Sequence, residues 1–298
     1  FPIHLGRIGK KSIPGRDKIS EEKMKSYFKP WDELKFTDDY MFCKIMKDEG
    51  ICKAVVETIL NIKIKQIEYI VDQEELRVSP EAKYVKLDIR LEDEDKIINV
   101  ELQNMNHQGL AKRARYYQSV SDVEATQKGT FYKDLKDSYV IFICNFDPFV
   151  KGLPYYEFEN ICLAYNPAIR LEDGTKKVFL NVTAKDLSKL DFNLQSLYHY
   201  IRDEKVESNL TNTIAQKLSL TKAEIEERKE YMTYTLKLMD YKELGYKEGI
   251  EKGIEKGIQE KQNEVVINMH KNNLSTQMIA TCTNLTVSEV EEILNNKE

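Results

Sequence analysis

The sequence predicts an α/β fold in which a helix is followed by three strands, a second helix and a fourth strand, with a helical extension at the C-terminus. Two neighbouring segments, 84–91 and 96–103, alternate between apolar and polar residues, which is typical of strands with one buried face. Residues 108–127 repeat apolar side chains at helical spacing, and 138–144 form the continuous apolar run of a strand covered on both faces. A chain of 298 residues is long enough for one such core with an appended region.

The first elements in chain order are a helical stretch and a strand. Residues 36–60 carry apolar residues at helical spacing, with Thr37 and Asp38 as candidate N-caps. Residues 62–71 alternate loosely, which predicts the first strand. The two clearly alternating strands follow, and the acidic residues 92–95 form a polar turn between them.

The second helix carries one apolar side and ends before Gly129. A further strand is predicted at 178–182, and from about Asp186 onward the pattern is helical. The apolar side of the second helix is formed by Leu110, Ala114, Tyr117, Val120 and Val123.

The two alternating strands have polar faces that are candidates for chemistry. Side chains two residues apart share a face of a strand. A hairpin centred between Glu94 and Asp95 places Asp88 across from Glu101, with Cβ atoms about 5 Å apart. The polar faces consist of Lys86, Asp88 and Arg90 on one strand and of Asn99, Glu101 and Gln103 on the next.

Two carboxylates at this separation repel each other unless a cation offsets their charge. Mg²⁺ binds carboxylate, water and phosphate oxygens, and it stabilises charge on a phosphodiester and activates water. Gln103 is then a candidate amide ligand or water-orienting residue, and Lys86 a candidate for stabilising phosphate charge. A solvent-exposed hairpin with one polar face gives the same alternation, so the spacing alone leaves both interpretations open.

Five segments in register resemble the PD-(D/E)xK nuclease family transposases, also called recombination-promoting nucleases. They match the first-helix motif, the two metal-binding strands, the second helix and the closing strand of that family. The matching residues are 36–42 (FTDDYMF), 87–90 (LDIR), 99–103 (NVELQ), 112–117 (KRARYY), and Gly129 and Tyr132 with 139–144 and 146–149.

The resemblance implies a restriction-endonuclease-like PD-(D/E)xK core and a metal-dependent endonuclease acting on DNA, with Asp88 and Glu101 as metal ligands. Gln103 stands where the wider superfamily has a lysine, and a neutral amide does not replace an ammonium as a charge stabiliser. Lys86 lies on the correct face to replace it. Asp39 matches a family acid that adds a ligand or positions a water, although a helix-capping or surface acid is the alternative.

Arg113, Arg115 and Tyr117 are candidates for DNA binding on the second helix. Arg113 and Tyr117 are four residues apart and share a helix face. Phosphate contact by arginine is one interpretation. An ion pair beside a tyrosine at the edge of the core is the other.

Four regions are expected along the chain: a basic, disordered arm at 1–30, the nuclease domain at 31–185, a helical extension at 186–240, and a glycine-repeat helix with a small helical tail at 241–298. Glycines recur every fourth residue at Gly245, Gly249, Gly253 and Gly257. Such a stripe permits close helix–helix approach and predicts a homo-oligomer; a flexible charged linker is the alternative.

The tail at 274–294 reads as two short helices that resemble a helix-turn-helix. DNA reading favours basic residues on the second helix. That helix instead carries Glu289, Glu291 and Glu292, which favours a packing or oligomerisation unit.

Charge, hydropathy and cysteine content narrow the function class. A net charge of −5 is compatible with DNA binding if basic residues cluster on one face. No apolar run approaches a membrane span, no signal peptide is visible, and five cysteines without a CxxC pair favour reduced thiols in a cytoplasm. We therefore expect a cytoplasmic, Mg²⁺-dependent DNA endonuclease, with Mn²⁺ as a possible substitute, linked to recombination or transposition. The alternatives are a non-catalytic DNA-binding scaffold that keeps the fold and a nuclease effector in phage defence.

Overall fold

The structure, a computed structural model, describes residues 28–67, 69–76, 85–126, 129–164 and 167–295. The arm expected at 1–30 lies almost entirely outside these ranges. The chain divides into two compact units, of which one is Lys29–Tyr231 and the other includes the residues from Met232 onward. The domain boundaries expected at 185 and 240 stay predictions.

The first unit begins with two helices where the sequence has one helical stretch. After a short 3-10 turn at Trp31–Glu33 come α1 (Asp39–Met46) and α2 (Glu49–Leu60). The chain breaks between them because Asp48 is extended and caps α2, its carboxylate accepting a hydrogen bond from the Ile51 N–H. Asp38 occupies the N-cap position of α1, as predicted.

The centre of this unit is a mixed six-stranded sheet. Its strand order is β1-β2-β3-β4-β8-β5. The pairs β3–β4 and β4–β8 are parallel, and the other pairs are antiparallel. The strands are β1 (Tyr69–Leu76), β2 (Val85–Glu92), β3 (Lys96–Gln103), β4 (Asp137–Cys144), β5 (Tyr155–Phe158) and β8 (Thr175–Asn181), and a separate two-stranded ribbon consists of β6 (Ile161–Cys162) and β7 (Ile169–Arg170).

Of the strands predicted from periodicity, those at 84–91, 96–103, 138–144 and 178–182 are confirmed as β2, β3, β4 and β8. The strand predicted at 62–71 is misplaced, because β1 overlaps only its end. The residues before β1 are anchored to α2 instead: the Ile64 N–H donates to Glu57 Oε1 (2.9 Å), and Lys53 Nζ donates to the Lys65 carbonyl (3.0 Å). The loose alternation there reflects a coil with buried isoleucines.

One face of the sheet is covered by α3 (Leu110–Ala125). Its predicted apolar side is largely correct, and it packs on β4 residues that include Val140 and Phe142. Val123 is the exception, being 54% exposed, because it stands beyond Val120, the last α3 member of this cluster. The buried α3 side chains include Leu110, Ala114, Tyr117 and Val120.

The helices predicted from Asp186 onward are confirmed. In the first unit these are α4 (Phe192–Asp203), which contacts α2, and α5 (Asn209–Ala223), which contacts both α1 and α2. Ser208 closes the start of α5 in a reciprocal capping box with Thr211. The long helix α6 (Ile225–Lys271) then passes from the first unit into the second.

The second unit contains most of α6 together with α7 (Thr276–Thr283) and α8 (Val287–Asn295), which confirms the two short helices predicted in the tail. A small core of Val266, Ile279, Ala280 and Val290 joins the end of α6 to them. The glycine repeat lies within helix α6, where a Cβ at any of the four positions would meet nothing within 4 Å. In the part of the chain that the structure describes, no helix is both long and apolar enough to cross a membrane.

Candidate active site

The carboxylates of Asp88 and Glu101 lie next to each other where the pairing of β2 and β3 ends, on the side away from the turn. The observed register pairs Ile89 with Val100, which is the register of a hairpin centred between residues 94 and 95. One step further, the Asp88 N–H donates to Glu101 Oε1 (3.1 Å), and the Leu102 N–H donates to Asp88 Oδ2 (2.9 Å). Each carboxylate therefore accepts a main-chain hydrogen bond from the other strand, which fixes the two acids next to each other.

Glu101 is fully buried. Burial and the adjacent charge of Asp88 raise its pKa well above the ordinary glutamate value, whereas the charge of Arg113 acts in the opposite direction. The site therefore holds a carboxyl group whose ionisation needs a nearby cation.

Gln103 completes the group on β3. Its Oε1 accepts a hydrogen bond from Arg113 Nη1 (3.0 Å), and its Nε2 donates to the Leu102 carbonyl (2.9 Å). Arginine only donates and a carbonyl only accepts, so these two partners agree on the orientation of the amide. The amide oxygen of Gln103 is therefore turned towards the charged groups of the site.

Arg113 reaches into this site from α3. Its Nη2 donates to Glu101 Oε2 (3.1 Å), and its Nε donates to the Tyr117 hydroxyl (2.6 Å). The guanidinium also lies over the Tyr117 ring, 4.9 Å from the centroid, and near Phe142. Arg113 and Tyr117 share a helix face as predicted; in this structure they bind each other, and Arg113 also binds the Glu101 carboxylate. Arg115, two residues along, is exposed.

Asp39 and two asparagines form a neighbouring polar group. Asn104 Nδ2 donates to Asp39 Oδ1 (3.3 Å) and to the Thr37 carbonyl (3.0 Å), and Asn145 donates to Asn104 Oδ1. Asn104 and Asn145 directly follow the parallel strands β3 and β4. Sequence reasoning missed both asparagines. The sequence pattern that could have identified them is a polar residue just beyond the carboxyl end of each of two buried strands.

Asp39 is not grouped with the Asp88–Glu101 pair, and the contacts of the Lys86 side chain are not described. Among the residues that the structure describes, no three or more histidine, cysteine, aspartate or glutamate side chains are grouped so that they hold a metal, so Asp39 does not form a three-carboxylate cluster with Asp88 and Glu101. Lys86 lies in β2 by its backbone, but its side chain is outside the description. The ligand role of Asp39 and the charge role of Lys86 stay predictions.

The donor set fits a hard divalent cation. Two carboxylates and an amide oxygen are the protein ligands that Mg²⁺ accepts, and Mg²⁺ typically takes only one or two carboxylates and fills its remaining positions with water and substrate phosphate. A site with few protein ligands therefore leaves positions on such an ion for water and for a substrate phosphate.

The mixed six-stranded sheet with helices is an α/β fold consistent with the PD-(D/E)XK nucleases. The chain belongs to the PD-(D/E)XK nuclease family transposases, whose family profile matches residues 36–244, more than half of the chain. Searches of curated proteins and of solved structures returned no match. Family membership supports a nuclease with a role related to transposition, and nucleases of this kind generally use divalent metal ions.

Proposed function

We propose that this protein is a metal-dependent endonuclease that hydrolyses phosphodiester bonds of DNA during recombination or transposition. The observation that carries the proposal is the reciprocal hydrogen bonding of Asp88 and Glu101, which holds two acids together at one strand end with the Gln103 oxygen beside them. Proteins seldom bury a carboxylate such as that of Glu101 next to a second acid unless positive charge offsets it. A divalent cation bound by the two acids would offset their negative charges.

In this proposal Asp88 and Glu101 bind Mg²⁺, or Mn²⁺ in its place, and Gln103 contributes its amide oxygen or orients the attacking water. The ion would supply Lewis-acid stabilisation of negative charge on the phosphodiester. The two N–H donors at the hairpin end hold the acids in place, so the ligand oxygens need little rearrangement before the ion binds.

The supporting residues are assigned as part of the same proposal. Lys86 stabilises phosphate charge, and Asp39, through Asn104, positions water or adds a ligand. Arg113, Arg115 and Tyr117 bind DNA, and of these Arg115 has an exposed side chain suited to a phosphate in the flanking duplex. We place the activity in the cytoplasm, where free thiols remain reduced.

Metal removal gives the direct test. Wild-type protein is expected to nick supercoiled plasmid in Mg²⁺ or Mn²⁺, to lose the activity in EDTA, and to regain it when excess Mg²⁺ is added back, because the proposed chemistry depends on the bound divalent ion. The measurement is the fraction of nicked and linear plasmid with time on a gel. Cleavage that persists in EDTA would contradict the proposal.

Two other functions remain as alternatives. A non-catalytic DNA-binding scaffold predicts DNA retention in a gel shift but no cleavage in either metal. A nuclease effector in phage defence uses the same chemistry on another target, and it predicts growth arrest on expression that depends on Glu101. Glu101, buried beside Asp88, favours catalysis over the scaffold, because burying a carboxylate next to a second acid is costly and a scaffold gains nothing from it.

Self-association is proposed to occur through α6. Ile250, Ile254 and Ile258 each follow a glycine of the repeat and are exposed by 42%, 45% and 62%. The repeat glycines leave a strip of the helix surface without side chains, and the exposed isoleucines lie next to it. A surface of this kind suits packing against a second copy of the helix. Replacing Ile254 and Ile258 together with glutamate is therefore expected to lower the oligomeric mass measured by light scattering. Leu220→Glu, which changes an exposed apolar residue on α5, outside the C-terminal helices, is the matched control and should leave the mass unchanged.

A further inference from the structure

We propose that Arg113 is the resident cation of the metal-free site, that it competes with the divalent ion for the same oxygens, and that it binds a substrate phosphate once displaced. This inference rests on the proposed function. The guanidinium bridges Glu101 Oε2 (3.1 Å) and Gln103 Oε1 (3.0 Å), one N–H to each. These are two of the oxygens assigned above to the metal.

The competition follows from charge and burial. Glu101 is fully buried, so water cannot compensate its charge when it ionises, whereas a guanidinium keeps its positive charge. Arg113 is the ion-pair partner recorded for Glu101 among the described side chains. A divalent ion that binds the same carboxylate would stand next to this positive charge, and two cations that close repel each other. Binding of the metal therefore opposes the Arg113 contacts.

Arg113 can leave Glu101 and Gln103 without losing all of its contacts. Its side chain is 33% exposed, so part of it borders solvent, whereas the Glu101 side chain is fully buried. Its third contact, from Nε to the Tyr117 hydroxyl (2.6 Å), uses neither Glu101 nor Gln103. That bond and the stacking on the Tyr117 ring can persist while the other two break. The displaced fork then remains at the rim of the site, and a planar guanidinium is well suited to bind phosphate in a bidentate manner.

The test is direct binding of Mn²⁺ to metal-free protein without DNA, with free Mn²⁺ counted by electron paramagnetic resonance. Arg113→Met is expected to bind Mn²⁺ about tenfold more tightly than wild type, a typical coupling between two sites, and yet to cleave plasmid more slowly. Arg113→Lys keeps the charge but loses the fork, so its Mn²⁺ affinity should fall between the two. Arg115→Met, which changes an exposed arginine on the same helix, is the control for the binding measurement and should match wild type in Mn²⁺ affinity.

A second measurement needs no variant. Adding Mg²⁺ to wild-type protein should shift the Nε–H resonance of Arg113 and leave that of Arg115 in place. Two results together would overturn the inference: Arg113→Met binds Mn²⁺ no more tightly than wild type, and the Arg113 resonance of wild type does not change when Mg²⁺ is added. Arg113 would then be a purely structural ion-pair partner, while cleavage by the wild type would still support the nuclease. A wild type that neither binds Mn²⁺ nor cleaves DNA would overturn both.

Discussion

Glu101→Gln is expected to reduce Mg²⁺-dependent plasmid cleavage by about a hundred- to a thousandfold, the size of effect seen when one charge-stabilising group is removed from an active site. Glu101 is proposed to be a metal ligand held by the Asp88 N–H and by Arg113, and glutamine keeps its shape without its charge. The cleavage rate under single-turnover conditions is the quantity to measure. A variant that retains wild-type activity would show that the metal site lies elsewhere.

The same substitution is expected to change how stability depends on pH. Because the pKa of Glu101 is raised in the folded protein, the folded state holds a proton that the unfolded state has already released, so wild-type stability falls as pH rises through the raised pKa. Glutamine resembles the protonated carboxyl at every pH. In EDTA, the free energy of unfolding of wild type should therefore drop with pH above the ordinary glutamate range, relative to that of Glu101→Gln.

The matched control is Glu92→Gln, in the same hairpin. Glu92 is an ion-pair partner of Arg90 and Lys136 at the opposite end of the strand, away from Asp88. Its removal should leave the cleavage rate unchanged. Unfolding of the unit Lys29–Tyr231 can be followed for both variants by tryptophan fluorescence, because the single tryptophan of the chain, Trp31, is buried in that unit. Equal loss of activity in both variants would indicate damage to the fold rather than to the site.

The hairpin was predictable because its information is local. Alternation with a period of two assigns the faces. The polar turn, predicted at 92–95 and observed just after Glu92, sets the register, so the pairing of Asp88 with Glu101 follows from counting. The same local pattern failed at 62–71, where burial against α2 rather than strand pairing places the isoleucines inside. Periodicity reports which side chains are buried and not what buries them.

The rest of the site depends on contacts between distant segments. Asn104 and Asn145 meet only because β3 and β4 are parallel neighbours, and no short-range pattern states that pairing. The direction of Arg113 depends on which sheet face α3 covers. The sequence allowed phosphate contact or an ion pair, and the structure places Arg113 on Glu101. The helix break before α2 rests on a single side-chain cap by Asp48, which helical spacing does not reveal.

Phe142→Ala is expected to destabilise the unit Lys29–Tyr231 by about 3–5 kcal/mol, the usual range for a buried phenylalanine. Phe142 is fully buried, lies opposite Glu101 in the register of β3 and β4, and stacks on Phe179 with ring centroids 5.3 Å apart. Its ring also lies beneath the Arg113 guanidinium and against Tyr117. Truncation therefore leaves a cavity directly under the site.

The measurement is urea unfolding monitored by Trp31 fluorescence, with Phe131→Ala as the control, since Phe131 is 70% exposed and its loss should change stability by less than about 0.5 kcal/mol. Phe142→Leu retains most of the volume and should lose no more than about 1.5 kcal/mol. If the ring also supports Arg113, Phe142→Leu should alter Mn²⁺ affinity while remaining folded, whereas a purely packing role would change stability alone. An alanine variant as stable as wild type would mean that β4 is not the centre of this core.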